Sequence, residues 1–363
     1  MRFKIAVLPG DGIGGEIIPE SVKVLNKIGS KFEHEFVLSY GEIGGKSIDE
    51  SGTPLPSETL QLCEDSDGIL FGAVGGPKWD DMNAKTRPED GILSLRKSME
   101  LFANLRPIKI FPALSSASPL KEELVKDVDM VIVRELTGGL YFSQPKKRWV
   151  DDGQRHGIDT LEYSEFEINR ILRVGFELAK TRRSKLTSAD KANVLQTGRL
   201  WRELAMEISK DYPEVELDHM YVDNLAMQLI SQPKRFDVIV TENTFGDILS
   251  DEAGVLIGSL GMLPSASLAY SRDESKRNRV GLYEPIHGSA PDIAGKSIAN
   301  PIGIILSAAL MLEYSFGLFK EAEAINQAVN TVLEMGYRSA DITSEKGKFI
   351  STSEMGDLVV ENI

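Results

Sequence analysis

The densest set of reactive side chains falls in residues 241–254, TENTFGDILSDEAG. Asp247 and Asp251 are four residues apart, so a helix here would carry both carboxylates on one face. The run before them, residues 236–240, is short and largely apolar and β-branched, and it reads as a buried strand. The two acids would then stand just beyond the carboxyl end of a strand, where open α/β sheets bind ligands. Convergent carboxylates suit a hard divalent cation such as Mg²⁺, which takes oxygen donors. A plainer reading is also open. Acids in a first helical turn are favoured by the helix dipole, and Asp-Glu pairs usually face water.

Other charged and polar residues recur at strand ends. Arg96 and Arg106 are ten residues apart across a helix end, and Arg134 follows the apolar strand 129–133. Arginine forks bind carboxylates in pairs, although a single arginine is more often a surface ion pair. Tyr141, in the segment after Arg134, is a proton donor or a packing residue. Lys191 lies beside Asp190 after a short strand. It is a surface charge or, if buried against a cation, a base with a lowered pKa. Asp223 is a helix N-cap or a third acid at a strand end.

The elements that must position these groups alternate strand and helix. Residues 4–8 form a buried strand, followed by GDGIGG and a helix ending at Gly29. Gly10, Gly12 and Gly15 match the G-x-G-x-x-G dinucleotide fingerprint, yet no acid stands cleanly after the next strand. A backbone turn near a ligand fits better than a true phosphate loop. Residues 68–74 form a second buried strand ending in Gly75-Gly76, and residues 58–63 look helical. A helix starts at Arg87 and runs to Phe102, with a strand at 108–111. Residues 144–157 turn polar, and 157–163 alternate like an exposed strand, as in a protruding hairpin whose edges need a cover. Ser164 to Glu167 is a capping box. Late in the chain, the small-residue loop 285–301 lets a ligand approach the backbone. An apolar helix at 302–316, an amphipathic helix at 320–335 and a last short helix from Ser353 follow.

Bulk properties exclude several classes. A chain of 363 residues is long enough for two domains. A net charge of −14 argues against nucleic-acid or anionic-membrane binding. The single cysteine, Cys63, excludes an intrachain disulfide and reads as a packing residue in a reducing compartment. With no signal-peptide pattern and no long apolar run, the expected location is the cytoplasm.

Six segments taken in order are specific. They are GDGIG at 10–14, LRK with NLRP at 95–107, RELTGG at 134–139, DKAN at 190–193, FGDILSDE at 245–252 and HGSAPD at 287–292. Together they show that the chain resembles the β-decarboxylating dehydrogenases that act on isocitrate, isopropylmalate, homoisocitrate and tartrate, nearest the isopropylmalate branch. The resemblance covers essentially the whole chain. It departs at Gly15, where the family usually has proline.

The resemblance implies an α/β isopropylmalate/isocitrate dehydrogenase-like fold, not a Rossmann fold. Residues 1–101 and 259–363 would form the NAD-binding domain, and 102–258 the second domain, with a hairpin arm at about 135–163 that interlocks in a homodimer. Arg96, Arg106 and Arg134 would hold the carboxylates of a malate unit. Asp247 and Asp251, with Asp223 of a second chain, would bind Mg²⁺ or Mn²⁺. Lys191 of the second chain would be the base and Tyr141 the acid, so a monomer should be inactive. Glu89, Ile92 and Leu93, with Asn193 and Val194 beside the lysine, would set substrate choice. An apolar wall favours 3-isopropylmalate over the third carboxylate of isocitrate. Asp292 and Ile293 would select NAD over NADP, and Ile13, Gly75, Gly76, Glu284, His287, Gly288, Ser289, Ala290 and Asn300 would line the cofactor site. The implied activity is NAD-dependent oxidative decarboxylation in leucine biosynthesis. The alternatives are a tartrate/malate, homoisocitrate or isocitrate enzyme of the same family, or a catalytically silent nucleotide-binding protein.

Overall fold

The computed structural model describes residues 1–81, 84–269, 280–344 and 347–363. The chain opens with β1 (Arg2–Gly10), α1 (Gly14–Phe32), β2 (Glu35–Tyr40), α2 (Gly45–Ser51), α3 (Ser57–Glu64) and β3 (Gly68–Ala73). Next come α4 (Pro88–Ser98), β4 (Ala103–Lys109), α5 (Glu122–Val125), β5 (Asp129–Glu135), β6 (Lys147–Asp151) and β7 (Gln154–Ile158). The middle of the chain holds α6 (Glu165–Thr181), β8 (Lys185–Asp190), α7 (Gln196–Ile208), β9 (Glu216–Tyr221), α8 (Val222–Ser231), β10 (Val238–Thr241) and α9 (Asn243–Gly254). It closes with β11 (Pro264–Leu268), β12 (Gly281–Pro285), α10 (Ile302–Tyr314), α11 (Phe319–Glu334) and α12 (Thr352–Glu361).

Two compact units divide this chain. The first holds Met1–Leu101, Ile110–Glu122 and Ile257–Ile363, and the second Phe102–Lys109 and Glu123–Leu256. The sequence placed 110–122 with the second unit; the structure groups it with the first. Arg338 donates to the Ala113 carbonyl (2.8 Å), and a Cβ on Gly258 would sit 2.6 Å from the Ala117 carbonyl oxygen.

In the first unit the strands run in the order β2-β1-β3-β12-β11. The first four are parallel, and β11 joins β12 antiparallel. All six residues of β3 are buried, as befits a strand covered on both faces. Helix α10 is buried along nearly its whole length. Ala6, Leu8, Ile43, Cys63, Phe71, Ile92 and Leu282 belong to one apolar cluster. Burial pushes the Cys63 thiol up to about 12, which makes it inert packing.

The glycine turn after β1 packs against protein. A Cβ on Gly12, at φ +56, would lie 2.1 Å from the Ser289 carbonyl oxygen, the same oxygen that accepts from the Ile13 N–H (2.9 Å). Gly29 does not end α1, which continues to Phe32. A Cβ there would sit 2.9 Å from the His34 carbonyl oxygen, so close approach of the returning chain calls for glycine.

In the second unit the order is β4-β5-β10-β8-β9, with β4 antiparallel to β5 and the rest parallel. Two boundaries differ from the sequence reading. Helix α4 stops at Ser98, and Leu101 N donates back to the Arg96 carbonyl (2.9 Å). The following strand is 103–109, not 108–111, because the whole NLRP segment pairs with β5. The hairpin strand ends at Ile158, and Tyr163 turns into the interior, where its hydroxyl accepts from Asn243 N (3.0 Å). Every residue of β6 and β7 is exposed.

Candidate active site

Helix α9 is the scaffold of the second unit's charged cluster. Glu242 caps it, accepting from Phe245 N (2.7 Å) and Thr244 N (3.1 Å). Asp247 and Asp251 lie one helical turn apart on it, half-buried and exposed respectively. Arg134, at the end of β5, donates its Nε to Asn243 Oδ1 (2.9 Å) and pairs with Asp247. Arg106, in the middle of β4, donates to Asn104 Oδ1 (2.8 Å), Ser250 Oγ (2.5 Å) and Asp251 Oδ1 (3.2 Å). Both arginines are buried, and their strands hold them stiffly. Gly246 permits this, since a Cβ there would meet the Arg134 side chain at 2.7 Å.

Tyr141 closes a short turn, Gly139–Tyr141, and its hydroxyl donates to Asp247 Oδ2 (3.0 Å). Burial, then the neighbouring Asp247 charge, holds its pKa above the ordinary phenol value. Burial also raises the Asp251 pKa, with Arg106 opposing.

Lys191 and Asp223 form a separate pair, with Nζ 2.6 Å from Oδ1. Lys191 begins the turn after β8. Asp190 pins that turn by accepting from Ala192 N (2.9 Å) and from Arg202 (2.9 Å twice). Asp223 sits in the first turn of α8, inside the helix and not at its N-cap. The hydrogen bond from Lys191 lowers its pKa. Asn193 and Val194 follow on the same turn, both exposed. Among the described residues no group of three or more His, Cys, Asp or Glu side chains is arranged to hold a metal. One chain therefore supplies Asp247 and Asp251 in one place and Asp223 in another.

The first unit carries a pocket of about 300 Å³ lined by Ile13, Ser259, Gly261, His287, Ala290, Ile293, Ile298, Asn300, Ala340 and Asp341. His287 Nε2 is buried there without a partner, and burial lowers the imidazole pKa. Asn300 Nδ2 donates to Asp341 Oδ2 (3.1 Å). Asp292 is exposed on the same loop. Elsewhere in this unit Arg96 donates to Glu284 Oε1 (2.6 Å), and its buried Nε has no partner. Gly75, at φ +107, donates to Asp11 Oδ2 (2.9 Å), which also accepts from Gly45 N (2.8 Å).

Residues 4–359 match the isocitrate/isopropylmalate dehydrogenase family. The chain belongs to that family. It is 59% identical over 354 residues to a 3-isopropylmalate dehydrogenase of Geobacillus kaustophilus, covering 98% of this chain and 94% of that one. It is 55% identical over 362 residues to the 3-isopropylmalate dehydrogenase of Aquifex aeolicus, covering 100% and 97%. The crystal structure of isocitrate dehydrogenase from Methylococcus capsulatus superposes with a TM-score of 0.85 at 34% identity, covering 99% of each chain. The expected α/β fold of this family, in place of a Rossmann fold, is the one observed.

Within each unit the expected family residues group unevenly. Arg106, Arg134, Tyr141, Asp247 and Asp251 come together, as do Lys191 and Asp223. Of the expected cofactor residues, Ile13, His287, Ala290, Ile293 and Asn300 line the pocket. Gly75, Gly76, Glu284, Gly288, Ser289 and Asp292 do not, and Glu284 instead braces Arg96. Of the expected specificity residues, Glu89 is exposed and Leu93 half-buried, while Ile92 is buried in the first unit's core. Sequence reasoning missed Asp341, which stands in no motif and enters the pocket beside Ala340. It also missed Asp11 as an organiser, although its place between two glycines was a signal.

The donor chemistry of these groups fits the family's ligands. Asp247 and Asp251 offer the oxygen donors a hard divalent cation takes. The pocket offers an apolar wall and an unsatisfied imidazole nitrogen, which suits an adenine ring.

Proposed function

We propose that this enzyme oxidises 3-isopropylmalate with NAD and releases CO₂, giving 4-methyl-2-oxopentanoate, a step of leucine biosynthesis. The observation that carries the reading is the gathering of Arg106, Arg134, Tyr141, Asp247 and Asp251 around one helix. Each has a task in holding a carboxylate, a divalent cation or a proton. Arg106 and Arg134 bind the malate carboxylates. Asp247 and Asp251, with Asp223 of a second copy, hold Mg²⁺ or Mn²⁺. Lys191 of that copy takes the hydroxyl proton, and Tyr141 returns a proton to the carbon that CO₂ has left. When bound, NAD accepts the hydride and the cation stabilises developing oxygen charge as a Lewis acid.

Leu93 and Val194 present apolar surface to the alkyl group, with Ile92 backing it from the core and Glu89 repelling a third carboxylate. Asp292 accepts from the adenosine ribose and rejects the extra phosphate of NADP. The protein acts in the cytoplasm as a homodimer with shared sites, the exposed hairpin of 147–158 serving as its arm. The test is a matrix of 3-isopropylmalate, isocitrate, homoisocitrate and tartrate against NAD and NADP, with and without Mg²⁺. NADH formation should be fastest with 3-isopropylmalate and should require the cation. Faster turnover of isocitrate or tartrate would contradict the reading.

A further inference from the structure

Asn243 is fully buried at the first position of α9. Its side chain does two jobs at once. Oδ1 accepts from Arg134 Nε (2.9 Å), and Nδ2 donates to the Gly138 carbonyl (3.0 Å). Gly138 is the residue on which the Gly139–Tyr141 turn begins. The backbone N–H of Asn243 is fixed in turn by Tyr163 Oη (3.0 Å), so the amide has little freedom to move.

Asp247, one turn further along α9, also touches Arg134 and Tyr141, and the Arg134 guanidinium lies 5.8 Å over the Tyr141 ring. Arg134 and the Tyr141 turn are thus tied to α9 at two levels. The outer tie is Asp247, whose oxygens are the ones offered to a cation. The inner tie is Asn243, whose polar atoms are already committed to protein and are buried away from ligands. An arginine needs a fixed fork to bind a carboxylate, and a proton donor misplaced by about 1 Å can cost on the order of 10²-fold in rate.

We propose that Asn243 is a positioning residue that sets the substrate-binding arginine Arg134 and the Tyr141 turn in register through one amide. This rests on the proposed substrate and on the roles given to Arg134 and Tyr141. The test compares full-length protein with Asn243→Ala and with the shape-conserving Asn243→Asp, which cannot donate to Gly138. Folding is followed by circular dichroism, NAD affinity by calorimetry, and kcat and KM with 3-isopropylmalate and Mg²⁺. In Asn243→Ala we expect kcat to fall roughly 10- to 100-fold, as for other residues that orient a ligand-binding group, and KM for the acid to rise. In Asn243→Asp we expect kcat to fall about tenfold or more. NAD affinity should stay unchanged in both.

A merely structural residue would lower Vmax only in proportion to the folded fraction, with KM unmoved, and that result overturns the inference. So does a folded variant with kcat and KM close to the unsubstituted values, or loss of folding in both variants. If the unsubstituted protein forms no NADH with 3-isopropylmalate, the proposed function fails instead, before any variant is compared.

Discussion

The cluster on α9 and the Lys191–Asp223 pair use similar residue types in opposite ways. In the cluster, buried arginines from β4 and β5 hold Asp247 and Asp251, and Tyr141 joins them from a short turn. The pair is a single contact between the turn after β8 and the first turn of α8, beside Val194 at 64% exposure. A buried ion pair that loses one partner leaves an uncompensated charge, whereas an exposed pair separates at little cost. The cluster is anchored by buried partners, and the pair is not. A cation site with two carboxylates in one place and a third in another is what two interlocked copies would complete.

The largest effect should come from breaking the exposed side. Lys191→Ala should lower kcat by about 10²- to 10⁴-fold, the usual contribution of a positioned base, while calorimetric NAD affinity is unchanged. Weaker NAD binding would mean that Lys191 has another task. On the buried side, Arg106→Lys keeps the charge but loses the fork that reaches Asn104, Ser250 and Asp251 together. Steady-state kinetics should show a drop in kcat/KM of roughly tenfold or more, since each charge-assisted hydrogen bond is worth about 1.5–3 kcal/mol.

The first unit sharpens the contrast, because its pocket holds a buried imidazole. Burial holds the His287 pKa below the ordinary imidazole value. Between those two values the unfolded chain binds a proton that the folded protein refuses. Stability is therefore full above the ordinary value, about 6.5, and is lost as pH falls from there through the folded pKa. Thermal melts across that window should show the loss, and His287→Gln should flatten it.

The smallest effects separate a glycine of the turn after β1 from one in the first turn of α1. Gly12→Ala forces a side chain onto Ser289 at positive φ and should destabilise by about 1–3 kcal/mol. Gly15, with nothing within 4 Å of a Cβ, should gain about 0.4–1 kcal/mol as alanine, read as a rise in the denaturation midpoint.

Much of this was legible because it is local. Apolar runs marked β1, β3, β5 and β10, and the spacing of Asp247 and Asp251 placed them on one helix face. The capping box at Ser164 is present, with Ser164 N donating to Glu167 Oε2 (2.8 Å). What was not legible depends on distant partners. The NLRP segment becomes a strand only because β5 is there to pair with it. Ile92 carries an apolar side chain that serves a substrate wall or a core equally well on paper, and only the fold shows it buried in the cluster that holds Leu8 and Ile43. Asn243 stood inside the most informative stretch without notice, since an amide shows its task only when both of its neighbours are in view. Asp341 shows its place only through its partners, Asn300 and Ser259.

On the proposed function, one chain would carry two unlike halves of a shared site. Coexpressing Asp247→Asn and Lys191→Ala copies tests it directly, because each mixed dimer would then hold one site damaged twice and one intact. Each variant alone should be nearly inactive, and the mixture should recover roughly a quarter of the unsubstituted rate, the statistical share for a two-site dimer. A mixture no more active than its separate components would contradict the account.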